Sequence, residues 1–321
     1  MSLLNIIEGK LPLSVHDYMQ LCLQHPEYGY YRKAVAVGKQ GDFITAPEIS
    51  QIFGDLIGMW LRDVWQQLGE PEFHLVECGP GRGTLSADVL RMLPPCKLHL
   101  VESSETLREA QKEALWKHNP TWHDDLSTLP NDRPLLIIAN EFFDAFPVRQ
   151  WVGDEERKVV EGLAFSPQGE VTREESPMAS QIMAQICERL KAQGGVFLTV
   201  DYGYLEGAGD TLQAVKKHTF HNPLETPGEA DLTSHVDFSA LKKVVEKVEC
   251  MLMPIVTQEK FLRSLGGEIW LQKLLLKTTE TQAQKDLQEG WLRLTSPATM
   301  GELFKVMAVL PNYEIQPGGF A

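Results

Sequence analysis

Two rhythms of apolar residues alternate along the chain. Between residues 47 and 68, Ile49, Ile52, Phe53, Leu56, Ile57, Trp60, Leu61 and Val64 recur at helical spacing, so one face of a helix is apolar. Residues 13–25 carry the same signature. The runs 73–78 (FHLVEC), 97–102 (KLHLVE), 135–140 (LLIIAN) and 195–201 (GVFLTVD) are short and nearly continuous, as in strands buried on both faces of a parallel sheet. Helical patterns at 84–93, 104–117 and 176–192 lie between them. Residues 148–174 break the rhythm, with VRQWVG, RKVVEGLAF and GEVTRE divided by acidic and SPQG turns, the pattern of an antiparallel meander. Residues 202–234 are rich in Gly, Pro, His and Asp and lack periodicity, which predicts a long functional or disordered loop. A helix at 236–248, a strand at 249–256, helices near 257–285 and 297–304 and a strand at 304–310 complete the pattern. The expected fold is α/β with a Rossmann-like sheet. Residues 1–70 form an N-terminal helical cap and lid segment, and residues 71–321 the main domain, with insertions at about 148–174 and 202–234.

Composition narrows the function classes. At 321 residues and 43% hydrophobic, the chain is able to bury a sizeable core. Its 44 acidic and 30 basic residues give a net charge of −14, which argues against a nucleic-acid partner, since phosphate needs a basic face. The cysteines at 22, 78, 96, 187 and 250 include no C-x-x-C pair, so neither a disulfide framework nor a zinc site is expected. The close pair His218 and His221 lacks neighbouring ligands and is not read as a metal site. No apolar run is long enough to cross a membrane. The N-terminal stretch, with Glu8 and Lys10, matches neither a signal nor a transit peptide, and a cytoplasmic location is the expectation.

The most specific chemistry lies directly after the first buried run. In ECGPGRG, Glu77 is followed by Gly79, Gly81 and Gly83, and a helical pattern begins at once. Missing side chains let a ligand lie against the backbone at the carboxyl end of the sheet. A P-loop would need Gly-Lys-Ser/Thr, but Thr84 and Leu85 follow Gly83; the dinucleotide fingerprint would need its third glycine where Thr84 stands. The order E-x-G-x-G-x-G resembles motif I of class I S-adenosylmethionine methyltransferases. On that resemblance Glu77 suits a cationic methionine moiety, Glu102 is placed for ribose hydroxyls, Asp124 for the adenine amino group, and Asn140 joins the cofactor site. A tight turn, a solvated acid at Glu102 and a helix cap at Asp124 are the competing assignments.

The likeness extends over residues 10–311. GDFITAPEISQIFGDLIGMW, VECGPGRGTL, ANEFFDAFPVRQW, DYGY, GDTLQAVKKH, PGEADLTSHVDF and MGELFKVMAVL together resemble the MidA-type methyltransferase family. Its mitochondrial members assist respiratory complex I assembly and are described as protein arginine methyltransferases acting on a core subunit of that complex. The resemblance implies S-adenosyl-L-methionine as cofactor and a protein as partner; it leaves the oligomeric state open. A final strand running antiparallel also follows from the resemblance.

Arginine is a demanding methyl acceptor because its guanidinium stays charged and its lone pair is delocalised. Two carboxylates gripping it orient one nitrogen and hold the charge on the others. Glu141 and Asp144 in NEFFDAFP are the candidate pair, directly after the 135–140 strand, against the alternatives of an ion pair with Arg149 and a helix cap. Asp42, Thr45 and Glu48 are candidates for a lid, Asp201 and Tyr202 for the same sheet edge, and His235 for a base. A small-molecule methyltransferase, and an assembly factor with a non-catalytic cofactor site, are the competing functions.

Overall fold

The computed structural model describes residues 2–32, 44–207, 209–311 and 315–320, so Asp42 lies outside the described residues. Seven strands carry the central sheet. They are β1 (His74–Cys78), β2 (Lys97–Val101), β3 (Thr121–His123), β4 (Leu135–Asn140), β5 (Gly195–Tyr204), β6 (Met251–Leu252) and β7 (Phe304–Leu310). They lie in the order β6-β7-β5-β4-β1-β2-β3, with the short strands Val236–Asp237 and Val256–Thr257 added against β5 and β7. Strands β1 to β5 are parallel and β7 is antiparallel to β5. The order turns at β1 and β4, so the chain leaves these neighbours in opposite directions and a crevice opens at their carboxyl ends.

The helices are α1 (Leu3–Glu8), α2 (Val15–Gln24), α3 (Ala46–Ile49), α4 (Gln51–Gln67), α5 (Thr84–Leu90), α6 (Glu105–Ala114), α7 (Pro177–Gln193), α8 (Phe238–Lys247), α9 (Gln258–Ser264), α10 (Gly267–Lys277) and α11 (Thr281–Thr295). The apolar stripe of α4 packs with α5, α9 and α11 on one sheet face, through Phe53, Trp60, Val89, Phe261 and Leu294. Helices α7 and α8 cover the other face through Met183, Ile186, Phe238 and Leu241. Helix α5 approaches α4 at its two glycines, where a Cβ on Gly54 would lie 2.3 Å from that of Asp88.

A third apolar cluster joins α1 and α2 to the insertions, with Val15, Tyr18, Met19 and Leu23 against Val148, Val159, Ala214 and Leu232. The first 70 residues thus divide between two cores: α3 and α4 belong with the sheet, α1 and α2 with the insertions. Residues 149–175 form the expected antiparallel pieces, one of which borrows Leu13–Ser14. Residues 202–234 are not a loop throughout. Strand β5 runs on to Tyr204, and Gln213–Lys216, Thr219–His221 and Asp231–Thr233 form a three-stranded sheet. The expected helix at 297–304 is instead a series of turns. The strand expected at 249–256 is interrupted, its two short pieces flanking Met253, Pro254 and Ile255.

Parity along the strands puts three histidines on one sheet face. Val76 pairs with His99 and Val101 with His123, so His74, His99 and His123 form a diagonal ladder across β1, β2 and β3. His74 Nδ1 and His99 Nε2 are 3.2 Å apart, and His99 Nδ1 and His123 Nε2 are 2.9 Å apart. Asp132 closes one end at 2.9 Å from His74 Nε2, and the Thr128 hydroxyl the other at 2.8 Å from His123 Nδ1. One proton per ring satisfies this chain. Burial first, and then His74, His123 and Lys97, lower His99 to about 4, with Asp132 pulling the other way. The unfolded chain therefore binds this proton more readily between about pH 6.5 and 4, and stability falls as pH drops through that window. We expect His99 to account for about 3 kcal/mol of acid-induced loss, read as urea midpoints from pH 7 to 4. His99→Gln should flatten that dependence, and an unchanged slope would contradict the ladder's role.

Candidate active site

A cavity of ≈ 530 Å³ occupies the crevice at the carboxyl ends of β1, β2 and β4, a size suited to a nucleoside cofactor and part of an acceptor. The glycine loop forms its floor. Gly79 and Gly81 take left-handed backbone, with φ of 64° and 52°, which is open to residues without Cβ at little strain. A Cβ on Gly79 would also meet the Phe142 ring at 2.8 Å. Gly83 does not line the cavity. It precedes α5 at φ 84°, and a Cβ there would strike Leu115 at 2.8 Å, so it serves packing.

At the cofactor end, Glu102 follows β2 and lines the cavity. Its Oε1 accepts from the Ser104 amide at 2.7 Å, and its Oε2 from Gln111 Nε2 at 3.4 Å. Gln111, fully buried on α6, also donates to the Gly81 carbonyl at 2.7 Å and accepts from Trp122 Nε1 at 2.8 Å. It therefore joins the glycine loop to the acid. A polar residue inside a helical pattern reads as solvent-facing, and only its fit to the apolar stripe of α6 distinguishes it in the sequence. Asp124 lines the cavity rim with a highly exposed carboxylate paired to Arg108 at 2.6 Å. Glu77 reaches the cavity wall, but its carboxyl accepts from the Ser86 hydroxyl on α5, and burial pushes it up to about 8. It faces the helix, so the expected contact with a cation is not prepared in this conformation.

The opposite end is built on the turn after β4. Glu141 has a left-handed backbone at φ 49°, and its amide donates to the Val200 carbonyl at 2.9 Å. Such backbone in a residue other than glycine marks a turn held by its surroundings. What holds it is Asp201. Its Oδ2 accepts from the amides of Phe142, Phe143 and Asp144 at 3.0, 2.8 and 3.3 Å, and its Oδ1 from the Tyr202 amide at 2.9 Å. Asp201 and Tyr202 do not line the cavity, contrary to expectation. Since β5 continues through Tyr204, both residues pair with β7, opposite Lys305 and Phe304. They stand behind the turn rather than at its edge. The Tyr202 hydroxyl donates to Asp144 Oδ2 at 2.5 Å.

Glu141 and Asp144 both line the cavity. Glu141 Oε1 accepts from the Ala46 amide and from Asn140 Nδ2, each at 3.1 Å. Burial, and then Asp144 beside it, raise its carboxyl to about 7, while the Ala46 amide, Asn140 and Arg293 pull it down. Burial likewise raises Asp144 to about 6, against the hydrogen bond from Tyr202. Two buried acceptors here, Asn140 Oδ1 and Asp144 Oδ1, have no donor among the described residues. Thr45 and Glu48 also line the cavity; Glu48 accepts from the Thr84 hydroxyl at 2.6 Å, which latches α3 to α5. Thr45 precedes α3 without a side-chain cap hydrogen bond. His235 lies outside the cavity, its amide donating to Thr211 Oγ1 at 2.9 Å and its Nε2 lying 3.2 Å from Gln213. It is therefore not placed to take a proton from an acceptor bound in this cavity. Tyr31, Asp231 and Thr233, which the motifs did not single out, complete the wall. Asp231 sat unrecognised within PGEADLTSHVDF because the segment shows no strand alternation.

These walls suit S-adenosyl-L-methionine: a bare loop without a phosphate cradle, an acid at the end of β2, and acceptor-rich surroundings for a cation. Comparisons with known proteins agree. A family model described as an S-adenosyl-L-methionine-dependent methyltransferase matches residues 56–168 and 154–255. The mouse protein arginine methyltransferase NDUFAF7, mitochondrial, is 35% identical, over 97% of this chain and 84% of its own length. The human protein of that name is 33% identical over 98% and 83%, and the Drosophila melanogaster homolog 34% over 94% and 82%. A Burkholderia thailandensis protein crystallised with S-adenosyl-homocysteine shares the fold at a TM-score of 0.83, with 24% identity, 98% of this chain and 92% of its own covered. These curated relatives are named mitochondrial, and the cytoplasmic location expected from the N-terminal pattern is withdrawn on that finding. The chain belongs to this family of class I S-adenosyl-L-methionine-dependent methyltransferases, and S-adenosyl-L-methionine is its cofactor.

Proposed function

We propose that this methyltransferase modifies arginine on a protein, with Glu141 and Asp144 as the groups that hold and deprotonate the acceptor. The observation that carries the reading is the pair of unpartnered buried acceptors, Asn140 Oδ1 and Asp144 Oδ1, beside the Glu141 carboxyl. Buried acceptors call for donors. A guanidinium brings five N–H donors and no acceptor, whereas a hydroxyl brings a single donor for the two oxygens and an ionised carboxylate brings none. The names of the relatives, protein arginine methyltransferases, support the same class. By the family resemblance, a respiratory complex I subunit is the substrate we infer.

In this assignment Gly79 and Gly81 lie under the cofactor, Glu102 receives its ribose hydroxyls, and Asp124 and Asn140 flank it. The bound cofactor supplies an electrophilic sulfonium methyl. Glu141 and Asp144 align the guanidinium, and Glu141 receives the proton that the alkylated nitrogen loses. Thr45 and Glu48, carried on α3, cover the site, and α1, α2 and the insertions form the platform that meets the protein. The test is incubation of the purified chain with methyl-tritiated cofactor and lysate from a strain lacking it, followed by acid hydrolysis of the labelled protein. Label is expected in methylarginine; label confined to small solutes or to another amino acid would end this reading.

A further inference from the structure

Helix α6 holds the Glu102 carboxylate at two points. The amide of Ser104, the residue that caps the helix, donates to Oε1, and Gln111 Nε2 donates to Oε2. Seven residues make two helical turns, so Ser104 and Gln111 stand on one side of α6. Gln111 is fully buried and does not line the cavity, but both groups that accept from it do: Glu102, and Gly81, whose carbonyl lies 2.7 Å from Nε2. Chemistry at the other end of the amide fixes its direction. Trp122 Nε1 is a donor only, so the Gln111 atom 2.8 Å from it is Oε1. The two N–H bonds of Nε2 are then left for Gly81 and Glu102, one each. Burial raises the Glu102 carboxyl, while the Ser104 amide and then Gln111 draw it down.

We propose that Gln111 is a positioning residue for the cofactor: it holds the loop backbone at Gly81 and the acid after β2 in one register, with Trp122 setting the direction of its amide. This rests on the assignment of the loop and Glu102 to the cofactor above. A ligand that lies on the loop and is gripped at its ribose spans two segments, one following β1 and the other β2. Such a ligand binds tightly when both segments already stand at its spacing, because ordering them on binding would cost affinity. The Gln111 amide supplies that spacing from a single side chain. Its bond to Gly81 also fixes the plane of that peptide, whose carbonyl is turned toward α6.

Calorimetric titration of S-adenosyl-L-methionine into the full chain, with turnover measured at varied cofactor, tests this. Gln111→Met keeps the length of the side chain and loses its donors. It should raise the cofactor Kd and KM by about tenfold to a hundredfold, while turnover at saturating cofactor falls far less. Gln111→Glu keeps the shape and the acceptor for Trp122 but sets an acceptor against Gly81 and Glu102, so it should weaken binding at least as much. Trp122→Phe frees the amide to turn and should weaken binding by about threefold to tenfold. A residue that served packing alone would lower the urea midpoint in Gln111→Met and leave the Kd as it was. Unchanged Kd in either Gln111 variant therefore overturns the proposal, and should Gln111→Met not fold, Gln111→Glu decides. S-adenosyl-homocysteine and its form lacking both ribose hydroxyls keep the two ideas apart. The wild type should prefer the intact nucleoside by about tenfold or more, and Gln111→Glu should narrow that gap. A gap left whole overturns the action through Glu102. No gap in the wild type retires the assignment of Glu102 to the ribose alone, and the Kd shift still decides whether Gln111 positions the cofactor.

Discussion

Glu141→Gln is expected to leave S-adenosyl-L-methionine affinity within a few-fold while turnover falls by about 10²- to 10⁴-fold. The amide preserves the shape of the side chain and can still accept from the Ala46 amide and Asn140, so the turn should survive. What it loses is the charge that attracts a guanidinium and the basicity that removes its proton. The same residue sets a pH dependence. With its carboxyl raised to about 7 by burial and by Asp144, Glu141 is substantially protonated below neutrality and ionised above it. Turnover should therefore rise with pH through about 7 and level off, and this acid limb should vanish in Glu141→Gln. Rates measured at saturating cofactor across pH 5.5 to 9 would settle it; wild-type-like turnover in the variant would exclude Glu141 from the chemistry.

The second large effect is structural, and it comes from a residue outside the cavity. Asp201→Ala removes the acceptor for three amides of the catalytic turn and for the Tyr202 amide. Each buried amide left without a partner costs about 1–3 kcal/mol, so the loss should be on the order of 4 kcal/mol or more, unless water enters. Asp201→Asn keeps one oxygen able to face the three turn amides and turns an NH₂ group toward Tyr202, so it should cost clearly less. Urea unfolding should rank wild type, Asn and Ala in that order of stability, with activity lost in parallel because Glu141 and Asp144 lose their placement. Equal midpoints for the three proteins would mean the turn holds without this carboxylate.

How far the sequence discloses this architecture depends on whether the signal is local. The glycine loop and the buried strands are legible because each is specified by contiguous residues: left-handed backbone at Gly79 and Gly81, and short, nearly continuous apolar runs in β1 and β4. Strand β3 is three residues long, too short for its pattern to separate from a loop. Asp201 and Tyr202 were expected at the cavity edge because the apolar run ends at residue 201, although β5 continues to Tyr204. Hydrogen bonding to β7, a partner about a hundred residues further on, extends the strand past its own propensity. Gln111, Tyr31 and Asp231 were hidden for a related reason. Each matters through contacts with distant segments, which composition and periodicity do not report. Helix residues 297–304 failed because apolar Met300 and Phe304 are fixed by the core, not by a helical stripe.

The account turns on one physical claim: a nucleoside sulfonium rests on the backbone of the loop after β1. Calorimetric titration of S-adenosyl-L-methionine into the purified wild type, Gly81→Val and Ser104→Ala tests it most directly. Gly81 lines the cavity at φ 52°, where a β-branched side chain is strained, so Gly81→Val should abolish measurable binding. Ser104→Ala removes a hydroxyl that holds Tyr31 and α6 and should keep wild-type affinity within a few-fold. Undiminished binding by Gly81→Val, or none by the wild type at millimolar cofactor, would contradict the claim.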